Sequence, residues 1–237
     1  MDFELGRSKK IIKVLIYKIT LSVLLLSPEV RGQWVSSSLG EKIAKSERYL
    51  FYLHGGVVTV LGDNAINQSV PEWGPYEYLN ILDSLRIRGF NVISEKRKVR
   101  IDDSVYVNRI VTQIDTLLNS GENARNILVV GASAGSDIAL RVSAKLRNDS
   151  MKFVIMGGCW PDTYNYYLDL QLHGHFLSII ELTDPHGTCA AIFNNRHAIK
   201  SVREITLQTG LSHGFIYKGY KEWIDPIVKW FDEVSLH

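Results

Sequence analysis

From residue 48 onward the apolar positions fall into two alternating patterns. Short and nearly continuous apolar runs, "RYLFYLHGG", "FNVISE", "NILVVG", "KFVIMGG", "FLSIIEL" and "REITLQTG", predict six strands buried on both faces. Between them the apolar residues recur at helical spacing. "YEYLNILDSLRIRG" places Tyr78, Ile81, Leu82 and Leu85 on one stripe and ends at Gly89, while "DSVYVNRIVTQIDTLLNSG" does the same with Val107, Ile110, Val111, Ile114 and Leu117. That second helix has Asp103 or Ser104 as its expected N-cap and Gly121 at its end. "SAGSDIALRVSAKLR", "GTCAAIFNNRHAIK" and "YKEWIDPIVKWFDEV" predict three more helices, with Pro226 at the first turn or a kink of the last. Buried strands alternating with amphipathic helices predict an α/β fold: a mostly parallel sheet of about six strands, helices on both faces.

The 237 residues, 46% of them apolar, suffice for one substantial core, so a single domain is expected. The first 33 residues read differently. Arg7, Lys9 and Lys10 precede the apolar stretch "IIKVLIYKITLSVLLL", after which small and turn-forming residues return in "SPEVRGQ". Lys13 and Lys18 break the stretch, and the part from Ile19 to Leu26 is too short to span a bilayer. Residues 1–33 are therefore expected to be a signal peptide or an N-terminal membrane anchor, with residues 34–237 the folded domain, exported to a periplasmic or extracellular space. In that oxidising setting Cys159 and Cys189 are candidates for a disulfide, the alternative being two buried thiols. Without the leader the chain has 21 Lys and Arg against 22 Asp and Glu, which gives no reason to expect a nucleic-acid partner. Membrane association is expected only through the leader.

In sheets of this kind ligands bind beyond the carboxyl ends of the strands, here after Leu53, Val130, Met156, Leu182 and Gln208. Gly131-Ala132-Ser133-Ala134-Gly135 fits G-x-S-x-G, which alone would turn up by chance about one time in ten in a chain this long. Its setting is more specific, because a buried strand enters Gly131 and a helix leaves from Ala134, the layout that exposes a serine hydroxyl on a strained turn. Such a serine needs a histidine to take its proton and a carboxylate to fix the histidine's tautomer. Asp184, in "LTDPHG", and His213, in "GLSHGF", lie just beyond later strands. Glu181 is a second candidate acid, but it falls within or at the edge of its strand; His186 sits in the wrong loop to be the base.

The order Ser133, Asp184, His213 resembles that of the α/β-hydrolase superfamily, and the chain from about Tyr49 onward looks like a compact serine esterase or lipase with a minimal lid. The resemblance implies hydrolysis of a carboxylic ester or related acyl bond through an acyl-enzyme, with a small acyl substrate and no cofactor. "LHGGVV" resembles the His-Gly oxyanion loop of that family, which implies backbone N–H donors from Gly55, Gly56 and Ala134. Two features depart from the pattern: "HGG" lacks the third glycine of the longer esterase motif, and no clear pair of strands precedes Tyr49.

Several residues have plainer readings. His54 is expected to orient its own loop. His173, His175, His197 and His237 form no grouping with ligand spacing, and no metal site is expected. Trp160, Tyr164, Tyr166 and Tyr167 would either line an apolar pocket or simply pack. The run "EKRKVR" would either steer an anionic group or stand solvated. A short-chain dehydrogenase is the rival for the glycine turn, with Tyr217 and Lys221 forming Y-x-x-x-K. It is disfavoured by Asp137, where a nucleotide loop wants glycine, and by the turn's place in mid-chain. A non-catalytic binding protein on a hydrolase fold is the rival from another class.

Overall fold

The computed structural model describes residues 33–40, 48–67, 72–194 and 198–235, all within the compact unit Gln33–His237. The expected leader, except for Gln33, lies outside the described residues. Among the described residues no helix is long and apolar enough to cross a membrane.

In chain order the elements are β1 (Val35–Ser36), β2 (Tyr49–Leu53), α1 (Gly56–Leu61), α2 (Asp63–Asn67), α3 (Tyr78–Arg86), β3 (Asn91–Ile93), α4 (Asp103–Asn119), β4 (Ile127–Ala132) and α5 (Ala134–Leu146). They continue with β5 (Lys152–Met156), α6 (Tyr164–Leu168), β6 (Gly174–Glu181), α7 (Ala190–Phe193), β7 (Ile199–Leu207) and α8 (Lys221–Ser235). All seven strands pair in parallel in the order β1-β3-β2-β4-β5-β6-β7. The sheet thus has one strand more than the six expected. The addition is β1, which pairs only Val35 and Ser36 with Val92 and Ile93 at the sheet edge.

The pleat sends successive side chains to opposite faces, and the core divides accordingly. Leu50, Tyr52, Leu128, Val130, Val154 and Met156 meet α3 and α8 on one face. Tyr49, Phe51, Ile127, Val129, Phe153 and Ile155 meet α4, α5 and α7 on the other. On α8 the buried residues Trp223, Ile224, Ile227, Trp230 and Phe231 keep the helical stripe. Pro226 lies inside that helix rather than in its first turn.

Three other expectations shift. The cap of α4 is Asp102, whose carboxylate accepts from the N–H of Ser104 at 2.7 Å, so the cap lies one residue before the expected pair and Asp103 opens the helix. The helix expected over residues 187–200 shrinks to the four residues of α7. In compensation β7 starts at Ile199, four residues early; as an edge strand it is mostly exposed and lacks apolar alternation. Cys159 and Cys189 are bonded, with their Cα atoms 5.0 Å apart, and join the loop after β5 to the start of α7.

The turn between β4 and α5 is held by close backbone approach. A Cβ on Gly135 would lie 2.0 Å from the carbonyl oxygen of Leu53 in β2, and one on Gly131 would lie 2.5 Å from that of Gly135. Neither has a positive φ; what both need is the missing Cβ. Gly135→Ala should therefore cost at least about 3 kcal/mol, the upper end for overpacking. Gly40→Ala, whose added Cβ meets nothing within 4 Å, should stay within about 0.5 kcal/mol of the parent in urea unfolding.

Candidate active site

Ser133 sits between β4 and α5 with φ 51° and ψ −121°, a conformation that costs a non-glycine residue about 1 to 3 kcal/mol. Two anchors hold it there. Its N–H donates to the carbonyl of Met156 at 2.8 Å. The hydroxyl of buried Ser136 donates to the carbonyls of Gly131 at 3.0 Å and Met156 at 3.2 Å. Gly158 makes room for Ser136, since a Cβ there would fall 2.2 Å from the Ser136 Cβ.

The strained turn aims the Ser133 hydroxyl at His213, whose Nε2 is 3.0 Å from Oγ. On the far side of the ring, His213 Nδ1 lies 2.8 Å from Asp184 Oδ2. With the Nδ1 proton given to Asp184, Nε2 is left as the acceptor for the serine O–H. His213 and Asp184 are both buried, and Gly157, at φ 54°, lies directly beneath the pair: a Cβ there would come within 3.2 Å of Asp184 Oδ2 and His213 Cε1. Burial pushes the Asp184 carboxyl pKa up, but hydrogen bonds from His213 and His186 outweigh it and hold the group below its ordinary value. His186 supplies two of these, from its N–H at 3.1 Å and its Nδ1 at 2.5 Å, both to Oδ1.

Glu181, the other candidate acid, does something different. Its Oε2 accepts from the N–H and hydroxyl of Thr209 at 3.0 and 2.9 Å. Its Oε1 accepts from the N–H of Gly210 at 3.1 Å and the N–H and hydroxyl of Thr183 at 3.4 and 3.1 Å. The buried carboxylate therefore ties the loop carrying Asp184 to the loop carrying His213. Burial raises its pKa, yet these donors bring it below the usual glutamate value. Thr183 and Ser212 close a second link between the two loops.

The His-Gly loop reaches the serine from the neighbouring strand. Gly55 caps α1 and Gly56 is its first residue, as Ala134 is the first of α5; first-turn N–H groups have no acceptor within their own helix. The two turns touch: a Cβ on Gly56 would lie 3.4 Å from that of Ala134. The N–H of Gly55 is directed elsewhere, to the Tyr76 hydroxyl at 3.3 Å. His54 is buried; its Nδ1–H donates to the carbonyl of Gly55, and its Nε2 accepts from the N–H of Arg97 at 2.9 Å. Arg97 is itself buried and donates to the His54 carbonyl at 2.6 Å. So the basic run is not simply solvated: Arg97 props the loop and Lys96 pairs with Asp63 at 2.7 Å, while Lys98 and Arg100 are exposed.

A pocket of about 190 Å³ opens in front of Ser133, lined by Gly55, Gly56, Val57, Tyr76, Ala134, Trp160, His213, Ile216 and Tyr217. Of the four aromatic residues singled out in the sequence only Trp160 reaches it. Tyr166 is exposed, Tyr167 is packed in the core, and the Tyr164 hydroxyl donates to the carbonyl of Thr188. Tyr76 and Tyr217 line the pocket instead, and Trp73 stands edge-on to His213 and Tyr217 with centroids 5.7 and 5.1 Å away. They come from loops with no periodic pattern to mark them.

This parallel sheet with helices on both faces is an arrangement shared with solved structures. The fold is that of the α/β-hydrolases. An esterase/lipase from an uncultured bacterium superposes with a TM-score of 0.53 at 13% identity, covering 82% of this chain and 79% of its own. Fungal esterases from Rhizomucor miehei are represented at a TM-score of 0.56 and 15% identity, covering 81% and 76%. A protein of unknown function from Agrobacterium tumefaciens, classed with the α/β-hydrolases, gives 0.53 and 16%, covering 80% and 86%. No family model and no curated protein sequence matches the chain.

The buried His54 gives the site a pH signature. Burial, then the nearby Arg97 charge, lowers its pKa from 6.5 to about 3. The unfolded chain binds a proton below about 6.5 that the folded one refuses until about 3, so stability is lost as pH falls through that window. In His54→Gln the slope of unfolding free energy between pH 6 and pH 4, measured in urea, should be smaller by up to about 1.4 kcal/mol per pH unit. An unchanged slope would mean that His54 is not held neutral.

Proposed function

We propose that the protein is a serine hydrolase that cleaves a carboxylic ester or a related acyl bond. The observation that carries this reading is the continuous hydrogen-bonded line from Ser133 Oγ through His213 to Asp184, built on a strained turn. Ser133 attacks the acyl carbon while His213 Nε2 takes its proton. Asp184 keeps the ring in the tautomer that leaves Nε2 free and stabilises the imidazolium that forms. The tetrahedral oxyanion is received by the N–H groups of Gly56 and Ala134, with Gly55 contributing if its N–H leaves Tyr76. His213 then protonates the leaving group, and water repeats the sequence in reverse to release the acid from the acyl-enzyme. The likeness of fold to two sets of esterases supports an ester as the substrate.

The wall of Val57, Tyr76, Trp160, Ile216 and Tyr217 presents hydrocarbon and ring surface, which suits an uncharged acyl or alcohol group. Export belongs to the same proposal and is supported by the apolar leader and by the Cys159–Cys189 bond, which persists in oxidising compartments.

The purified protein should be labelled covalently by a fluorophosphonate probe and should hydrolyse p-nitrophenyl acyl esters. Ser133→Ala should lose the label and on the order of 10³-fold or more of the rate while unfolding at an unchanged urea midpoint. A folded parent protein that takes no label and turns over no ester would sink the proposal.

A further inference from the structure

Hydrolysis asks for one carboxylate and one imidazole behind the serine, yet the site holds a second imidazole. Asp184, His186 and His213 each present a ligand-type atom, and these atoms lie within 4.8 Å of one another. Both rings address the same carboxylate, His213 Nδ1 at Oδ2 and His186 Nδ1 at Oδ1, and their centroids are 4.4 Å apart. Asp184 is almost wholly covered, whereas the His186 side chain is 27% exposed, with Trp160 packed on its ring at 5.0 Å. The His186 ring is thus the most exposed of the three donors and the side from which a solute would approach.

We propose that Asp184, His186 and His213 form an inhibitory site for a divalent transition-metal cation of the zinc class. Two imidazole nitrogens and a carboxylate oxygen suit such an ion, which takes them at about 2.0 to 2.2 Å and accepts water as a fourth ligand. Magnesium and calcium, which favour all-oxygen surroundings, match the set poorly. The cost to catalysis follows from the tautomer. In the free site the neutral His213 ring holds its proton on Nδ1 and its lone pair on Nε2. A cation bound at Nδ1 takes the lone pair there, and the proton moves to Nε2, with none lost from the ring and nothing oxidised. Nε2–H then faces Ser133 Oγ and cannot accept its proton. His186 supplies the third donor, and without it Asp184 and His213 offer only two. The sequence hides this grouping because His213 enters from a loop 27 residues further along the chain than His186.

The effect on turnover rests on the hydrolase reading; the binding does not. Calorimetric titration of Ser133→Ala with zinc chloride tests the binding on a protein that keeps all three donors. One zinc ion per chain with micromolar affinity is expected, weakened at least tenfold by adding His186→Ala or His186→Asn; the asparagine can still donate to Asp184. In the parent protein, zinc should suppress ester hydrolysis over the same concentrations and EDTA should restore it. The His186 variants, each compared with its own metal-free rate, should need at least tenfold more zinc. Absent binding, binding indifferent to both His186 substitutions, or binding that leaves an active enzyme uninhibited would overturn the proposal. Zinc binding by a protein with no esterase activity would support the metal site and count against the hydrolase reading instead.

Discussion

The site depends first on how closely the start of α5 lies against β2. With hydrogen alone on Gly135, the helix backbone can settle on the Leu53 carbonyl, a separation no side chain would permit. That contact packs the start of α5 on the end of β2, and Ser133 makes the connection from β4 with φ 51°. The strain of about 1 to 3 kcal/mol is held by hydrogen bonds to the neighbouring strand. Met156 accepts from both the Ser133 N–H and the Ser136 hydroxyl, so relaxing the turn would strip two bonds from the end of β5. The same contact brings the first residue of α5 beside the first residue of α1, and two N–H groups with no partner inside their own helices become neighbours.

Position on the other side of the serine is set by charge. Asp184 and His213 come from different segments, the turn after β6 and a short 3-10 helix, Ser212–Ile216, after β7. Glu181 fixes both. A hydrogen bond to a charged group contributes about 1.5 to 3 kcal/mol net, and Glu181 receives five from the two loops, which is why a buried carboxylate keeps a depressed pKa. Trp73 against His213, and the bare Cα of Gly157 below it, complete the seat of the imidazole.

Much of this was legible in the sequence because it follows from period and order. The central strands are apolar on both faces, the helices repeat at 3.6 residues, and serine, aspartate and histidine each follow a strand in turn. What escaped lacks period. β1 is two residues long, below the reach of any pattern. The early part of β7, from Ile199 to Val202, is an edge without apolar alternation, and reads as helix or loop. Arg97 looks like one more surface charge until the fold puts it under His54, and Glu181 is indistinguishable from a failed candidate for the acid until its donors are seen. Trp73 and Tyr76 precede α3 and Tyr217 precedes α8, and their rings meet only in three dimensions.

The disulfide has a meaning for traffic into the cleft. Cys159 immediately precedes Trp160, which forms one side of the pocket, and Cys189 closes the loop that holds Asp184 and His186. A covalent bond across these two segments makes the pocket rim and the acid loop one rigid piece, unable to swing apart as a gate. For the proposed hydrolase that edge would be a fixed aperture, leaving any accommodation of an acyl group to the walls that the bond does not join.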